Sequence, residues 1–558
     1  MKTARLFVIV FLVMLFVTPA KAEHNFVEQF LNRYRSANFN LAASPSNPSV
    51  QNPGDLIRGG QLPLMVSDVI NLMLSNNLDI SVNRLSPQSS EYLIETLYRP
   101  FEPTLRFQAI VTRSTTPSTS QLTGAPSLST LSGGYTVGFA QTLATGTNVG
   151  VDFILNRNSS NSAFNTFNPA WGGTLRYSFN QHLLRDYGRL NNTRQIRIAQ
   201  NNEKISETQF ERQLIDLVSQ AQRNYWDMVF TAEDVKVKQR SMDLAQKTLS
   251  DNQIQVQIGT LAPIDVVQAE SEVASRREQL VVSTYTEAQT QDIIKKFITS
   301  QSDPGLVLAK LSPTEGLKKP APADVIPVEE AIKIALENRP EMRQLQLDSQ
   351  NKTIDLDYTK NQLLPTMDLI GAYTQSGVGG TETLRNGFGP TAPIISVTKG
   401  GFGDAFSQLF GYDYTGYSVG VSVLIPLRNR AARGDNARAT TDKRIAESRI
   451  TAQAQQIALE VRNAMTQADM NRARIEAAQK ARELSERRLE AEQKKFDLGA
   501  STIRFVLEEQ RNVAQAQTNE IAALVNYTKA LVDLDRVMGV TLKKNNIQIE
   551  KTLSASAK

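Results

Sequence analysis

Val66-Ser-Asp-Val-Ile-Asn-Leu-Met-Leu-Ser-Asn-Asn-Leu-Asp79 and Val328-Glu-Glu-Ala-Ile-Lys-Ile-Ala-Leu-Glu-Asn-Arg-Pro-Glu341 are two copies of one stretch. At a constant offset of 262, Val66, Ile70, Leu74 and Asn76 meet Val328, Ile332, Leu336 and Asn338, and Asp79 meets Glu341. The same offset carries Pro103-Thr104-Leu105 onto Pro365-Thr366-Met367. Register held over that length marks a duplicated unit. A second match, at offset 240, pairs Ile258-Gly259 with Leu498-Gly499, Val266-Val267 with Val506-Leu507, and Val273-Ala274 with Val513-Ala514. The offset falls by 22 between the two matches, so the first copy carries about 22 extra residues between Leu105 and Ile258. That is the length of one further β-hairpin, and residues 135–155 are its best candidates.

Each copy opens with an amphipathic pattern, 66–101 and 328–363, which predicts a helix stopped by Pro103 or Pro365, because proline removes a donor and biases its predecessor to extended geometry. Period-two segments follow. Leu105, Phe107, Ala109 and Val111 alternate with Arg106, Gln108, Ile110 and Thr112. Tyr135–Phe139, Val149–Leu155, Leu175–Phe179, Met367–Tyr373 and Tyr417–Ile425 repeat the pattern. Such strands suit a barrel with an apolar outside and a polar inside, and equally half of a soluble sandwich. Ser/Thr/Asn/Gly-rich stretches 113–134, 156–173 and 376–416 read as exposed loops.

The helices after the strands decide between these. Seventy residues separate Gly188 from Gly259 and 64 separate Gly434 from Gly499, all without Gly or Pro. At 1.5 Å per residue each run reaches about 100 Å, far beyond a globular helix. Returning helices are expected from about Pro263 to Asp303 and from Ser501 to Met538. The domain reading is therefore a first repeat at 66–303, a linker at 304–327, a second repeat at 328–539 and a tail at 540–558.

The N-terminus points out of the cytosol. Lys2 and Arg5 precede an apolar run from Leu6 to Val17, and Ala20-Lys21-Ala22 offers a small-residue cleavage site, the anatomy of a signal peptide spanning 1–22. Residues 23–65, with Pro45, Pro48 and Pro53, read as a mostly irregular lead-in. Taking Lys2, Arg5 and Lys21 from 61 basic residues leaves 58 against 56 acidic ones, and no basic block tracks a phosphate backbone, so no nucleic-acid role is expected. The chain has no cysteine and two histidines, His24 and His182, far apart. Thiolate metal sites and disulfides are thereby excluded, and most enzyme classes lose their usual signals. Carboxylate-only chemistry, as in an exported hydrolase, stays open but has no constellation behind it, and neither cofactor, metal nor catalytic residue is expected. No stretch after residue 22 is long and apolar enough for a spanning helix, so membrane entry requires a closed β-barrel.

Helix, strands, very long helix and returning helix, twice over behind a signal peptide, resemble the TolC-like outer-membrane efflux proteins. The pieces that carry this are Asn338-Arg-Pro-Glu341, Leu364-Pro365-Thr366, Val419-Gly-Val-Ser-Val-Leu-Ile-Pro-Leu427, Phe496-Asp-Leu-Gly499, Tyr225-Trp226 and Ile258-Gly-Thr-Leu-Ala-Pro-Ile-Asp-Val-Val-Gln-Ala-Glu270. The resemblance implies an α+β membrane protein: a homotrimer closing one outer-membrane β-barrel, in contact with lipid, and one periplasmic α-helical barrel. It further implies a passive exit duct in tripartite efflux or type I secretion, docked to a periplasmic adaptor and an inner-membrane pump.

By position, a family acid of the periplasmic constriction falls on Asp265, and two that share one helix face fall on Phe505 and Glu508, with Glu509 adjacent. The Tyr and Arg of the family's closed-state lock fall on Phe496 and Ser501, which lack the hydroxyl and the charge. Gly259 and Gly499 mark the helix turns at the periplasmic tip. Pro103, Pro365, Pro426 and His182 mark the strand–helix transitions, His182 standing where the family usually has proline. The family's barrel takes four strands per protomer; six strand-like segments here mean that the extra pair lies outside the wall or that the barrel is larger. The rival reading is a periplasmic coiled-coil scaffold or adaptor without a pore.

Overall fold

The computed structural model describes residues 57–119, 123–299, 304–317, 320–321, 326–387 and 392–548. The expected signal peptide and most of the expected lead-in lie outside the described residues.

Each copy starts with a broken helix rather than a continuous one. In the first, α1 (Val66–Asn76) ends and α2 (Leu78–Leu97) begins at Asn77, whose side chain accepts from the amides of Asp79 and Ile80 at 2.9 and 3.2 Å. In the second copy α7 (Val328–Asn338) gives way to α8 (Pro340–Asn361), with Pro340 in the first turn, where its missing N–H costs nothing. An N-capping asparagine and a proline thus do the same job in the two copies. The expected stops also move: α2 ends at Leu97, ahead of Pro100, and α8 ends at Asn361.

The strands are longer than the alternation suggested. They are β2 (Thr104–Pro117), β3 (Ser127–Thr142), β4 (Thr147–Ser160), β5 (Phe167–His182), β7 (Thr366–Arg385), the short β8 (Ile394–Thr398) and β9 (Tyr414–Leu424). Much of 113–134, 156–173 and 376–416 is therefore strand, not loop. Polar sequence is compatible with that, because a ladder satisfies every backbone group whatever the side chains. One antiparallel sheet runs β2-β3-β4-β5-β7, with β9 and β8 both paired to the far side of β7. The additional pair, β3 and β4, is embedded in it, with unbroken register to β2 and β5 (Phe107↔Val137↔Phe153↔Leu175).

After the strands come α3 (Arg189–Asn192) and α4 (Arg194–Gln257, 64 residues), returning as α5 (Pro263–Ile298). The second copy gives α10 (Arg430–Asp497, 68 residues) and α11 (Ile503–Val537). At 1.5 Å per residue α4 and α10 are about 95–100 Å long. α4 packs on α5, α10 on α11, and α11 also on α4; α8 bridges α4 and α10.

The main core lies at the waist. There β1 (Gln61–Leu64), inside the segment read as irregular, pairs in parallel with β6 (Lys310–Pro313), inside the segment read as linker, which also holds α6 (Pro304–Leu308). Leu62, Leu64, Met73, Met228, Ile294 and Leu311 bury together there. Tyr225 is fully buried and donates to the Leu64 carbonyl at 3.1 Å, which gives the Tyr225-Trp226 motif a structural role. The last helix, α12 (Thr541–Lys544), adds Leu542 to the same core.

Candidate pore wall and periplasmic constriction

The two faces of the sheet differ in chemistry. On one side, odd-numbered residues form largely apolar rungs across five or all six of the long strands. One runs Leu105, Phe139, Val151, Tyr177, Tyr373, Tyr417; the next down runs Gln141, Val149, Phe179, Gly371, Val419. These side chains are widely exposed: Tyr417 by 86%, Val419 by 75% and Phe107 by 58%. On the other side, even-numbered residues line a concavity of about 460 Å³ walled by Arg106, Asp152, Arg176, Ser178 and Asn180 among others. Arg106 Nη2 lies 3.4 Å from Asp152 Oδ1, reaching across β3 at Gly138, where a Cβ would stand 2.6 Å from the same oxygen. A sheet apolar on its convex side and polar on its concave side has the wetting pattern of a water-filled barrel wall in lipid. Among the described residues no helix is long and apolar enough to cross a membrane.

The sheet is open. Among the described residues β2 and β9 each pair on one side only, and every residue of both is exposed. β2 runs away from the helical end and β9 runs back to it, so the two edges are antiparallel.

At the strand–helix transition the extra hairpin is tied down. Its turn, Leu143–Gly146, sits against the chain leaving β5: Gly188 donates to the Thr145 carbonyl at 3.1 Å, and a Cβ on Gly146 would meet the Asp186 carbonyl at 2.7 Å. His182 Nδ1 lies 2.7 Å from Asp368 Oδ1 on β7. The side chain thus makes a cross-strand polar contact that proline could not. Pro103 and Pro365 immediately precede β2 and β7. Pro426 lies in the chain joining β9 to α10, where Asn429, at φ +35°, donates to the Leu363 carbonyl at 3.0 Å.

The far tips are the same turn built twice. Gly259 (φ +79°) donates to Val256 at 3.0 Å and Thr260 to Gln255 at 2.9 Å; Gly499 (φ +73°) donates to Phe496 at 2.8 Å and Ala500 to Lys495 at 2.9 Å. This is a Schellman cap, with glycine in the left-handed position that L side chains resist. Beyond the second turn, Phe496 packs on Ile503, Val506 and Leu507, and Ser501 hydrogen-bonds Glu492. Glu508 is exposed, Asp265 and Glu509 are half-buried, and the Arg504 guanidinium lies 4.8 Å from the Phe505 ring centre.

One turn further along lies a cluster that sequence reasoning missed. Arg276 on α5 is 3% exposed; its Nε donates to Glu272 Oε1 at 2.6 Å, and it also bonds Ser241 on α4. Arg511 on α11 donates to the other Glu272 oxygen at 2.8 Å. Burial alone would raise the Glu272 pKa, but hydrogen bonds from Arg276 and Arg511 hold it below the ordinary carboxylate range. The network thus joins both helical hairpins just behind Glu508. Its only sequence signal is the Glu272/Arg276 i,i+4 spacing, which exposed helices also carry. The Asn338-Arg-Pro-Glu341 motif makes a second such lock: buried Arg339 holds Glu341 at 2.9 and 3.2 Å and also bonds Glu460 on α10.

Residues 331–540 match the family model described as outer membrane efflux protein. The match falls on the second repeat. The chain is 21% identical over 352 residues to the pyoverdine export outer membrane protein OpmQ of Pseudomonas aeruginosa, an alignment that covers 60% of this chain and 64% of that relative. Among solved structures it is similar to the CmeC outer membrane channel of Campylobacter jejuni (TM-score 0.59, 15% identity, 87% of this chain and 90% of that one). It is also similar to the outer membrane protein VceC of Vibrio cholerae (TM-score 0.58, 12% identity, 85% of this chain and 96% of that one). The likeness shows the fold of these outer membrane channels for this chain.

Proposed function

We propose that three copies of this chain close one barrel and one helical tube and serve as the exit duct of a tripartite efflux or type I secretion assembly. The observation that carries this reading is the open sheet with antiparallel edges, apolar on its convex side and polar on its concave side. A bilayer tolerates no unpaired strand edge, so β9 of one copy meets β2 of the next until the ring closes. With six long strands per chain, a trimer has eighteen staves, half as many again as the four-strand protomers of the family give. The duct does no chemistry; a periplasmic adaptor and an inner-membrane pump supply selection and energy. Similarity to a pyoverdine exporter favours small molecules as cargo over polypeptides.

Three copies of Glu508, with Asp265 and Glu509 nearby in the chain, line the periplasmic constriction and favour cations, as carboxylate rings do. The test is planar-bilayer recording of the full mature chain together with electron microscopy in nanodiscs. Steady ion conductance through a three-fold particle with a disc-embedded barrel is the expected result. A particle without disc density, or a solid rod, refutes the duct and favours a periplasmic scaffold.

A further inference from the structure

Charge on the concave side of the sheet is concentrated in one rung. Register aligns Arg106 on β2, Gly138 on β3, Asp152 on β4, Arg176 on β5, Thr374 on β7 and Gly416 on β9. The next rung toward the helices holds only Thr, Ala, Gly and Ser: Thr104, Ala140, Gly150, Ser178, Ala372 and Ser418. Elsewhere among the even-numbered residues of the six long strands, the charged ones are Asp368, beside His182 at the helical end, and Glu382 at the far end of β7. Two guanidinium groups and one carboxylate therefore share a single level, a net charge of +1 per chain.

The carboxylate is taken by one of its two neighbours. Asp152 Oδ1 pairs with Arg106 at 3.4 Å across Gly138, which has no side chain to block the reach. Arg176, the register partner of Asp152 on its other side, is exposed and has no counter-ion among the described residues. All three side chains line the same concavity. The connection between β7 and β9 carries α9 (Phe402–Gly411), which packs on β7 and β5 from the odd-numbered side, over Gly377 and Gly379, and leaves this rung uncovered. The odd-numbered rungs on either side of it, Leu105 to Tyr417 and Phe107 to Leu175, are apolar, so the charge sits within the depth of the apolar band. At such a depth a charged side chain is costly unless it faces water, and low-dielectric walls focus its field across the bore.

We propose that this rung is an anion-favouring belt inside the barrel. Three copies give it a net charge of +3, and Arg176 is the residue that meets passing carboxylate or phosphate groups. This rests on the trimeric barrel reading above, which makes the concave side the lumen. The belt is opposite in sign to the carboxylates proposed for the periplasmic constriction, so the duct carries two levels of unlike charge. Its reach is a Debye length, about 8 Å at physiological salt and about 3 Å in molar salt, so the preference fades as salt rises.

The chain has no cysteine, so R176C in the full chain puts a single thiol on the belt. Reversal potentials are recorded in planar bilayers under a KCl gradient, before and after a trimethylammonioethyl or a sulfonatoethyl methanethiosulfonate. At low salt the chloride-over-potassium permeability ratio is expected to fall about twofold from wild type to R176C. The cationic reagent should restore it, the anionic one should lower it further, and molar KCl should erase the differences. D152N, which removes the one counter-charge and needs no thiol, should raise the ratio. R157C loses the same charge on the convex side, where Arg157 lies over Trp171, and should leave the ratio unchanged. If the thiol at 176 is modified and the ratio ignores the sign attached, if D152N has no effect, or if R157C matches R176C, the belt is refuted and the duct stands. If no version of the chain conducts, or the thiol at 176 reacts in detergent but not in the bilayer, the concave side is no lumen, and barrel and belt fall together.

Discussion

Glu272 shows how much of the proposed constriction rests on buried residues behind it. Its carboxylate is 10% exposed and its neighbour Arg276 3%, so removing either partner strands a buried charge. Arg276→Ala is expected to cost about 3 kcal/mol per protomer, read as a lowered unfolding midpoint, whereas breaking an exposed pair such as Lys480–Glu483 should leave the midpoint nearly unchanged. The depressed pKa of Glu272 fixes the pH dependence. Its contribution is fully present above the unfolded value of 4.5 and is lost as pH falls below that toward the folded value. Stability of the helical end measured from pH 7 to pH 3 should therefore hold to about 4.5 and then decline, and Glu272→Gln should flatten that decline. Glu508→Ala is a functional counterpart: cation-over-anion selectivity in bilayer recordings should fall, and an unchanged ratio would remove Glu508 from the constriction. At this scale the sequence was least readable. Phe496 and Ser501 could be seen to lack a hydroxyl and a charge, but not that Phe496 joins an apolar cluster with Ile503 and Leu507. Nor could a 239-residue separation reveal the Glu272–Arg511 bond.

Elements were legible wherever one force dominates. The long helices follow from runs without Gly or Pro, and both turns follow from Gly259 and Gly499. Placing a Cβ at either glycine meets no neighbour, so only the backbone objects. Gly499→Ala is expected to destabilise by about 1 kcal/mol and Gly499→Asn by less, since asparagine tolerates the left-handed region; thermal midpoints of the two variants check the order. Strand lengths were misjudged because hydrophobic alternation marks only the apolar stretch of each strand. The ladders run on past it, from Arg113 to Pro117 on β2 and from Gly377 to Arg385 on β7. The breaks at Asn77 and Arg339 were missed because the apolar periodicity continues across them, and a cap or a proline at the first helical position overrides it locally.

For the whole molecule, duplication and an unequal first copy were readable from offsets alone; the fate of the extra hairpin was not. Register with β2 and β5 decides it, and register between strands distant in sequence leaves no imprint on composition. Electron-microscopy sections through the barrel of the trimer should accordingly contain eighteen staves; twelve would mean that β3 and β4 leave the wall. The strand count also bears on the girth of the duct. In the proposed trimer, four long helices per chain put twelve around the tube, and at about 10 Å between axes they trace a circumference of about 120 Å. Eighteen strands about 4.8 Å apart, tilted by about 40°, trace about 110 Å. Twelve strands at the same tilt would trace only about 75 Å and would pinch the outlet. In the proposed trimer the added hairpin thus matches hoop to hoop, so that whatever clears the periplasmic iris would meet a bore of nearly constant width all the way to the far mouth.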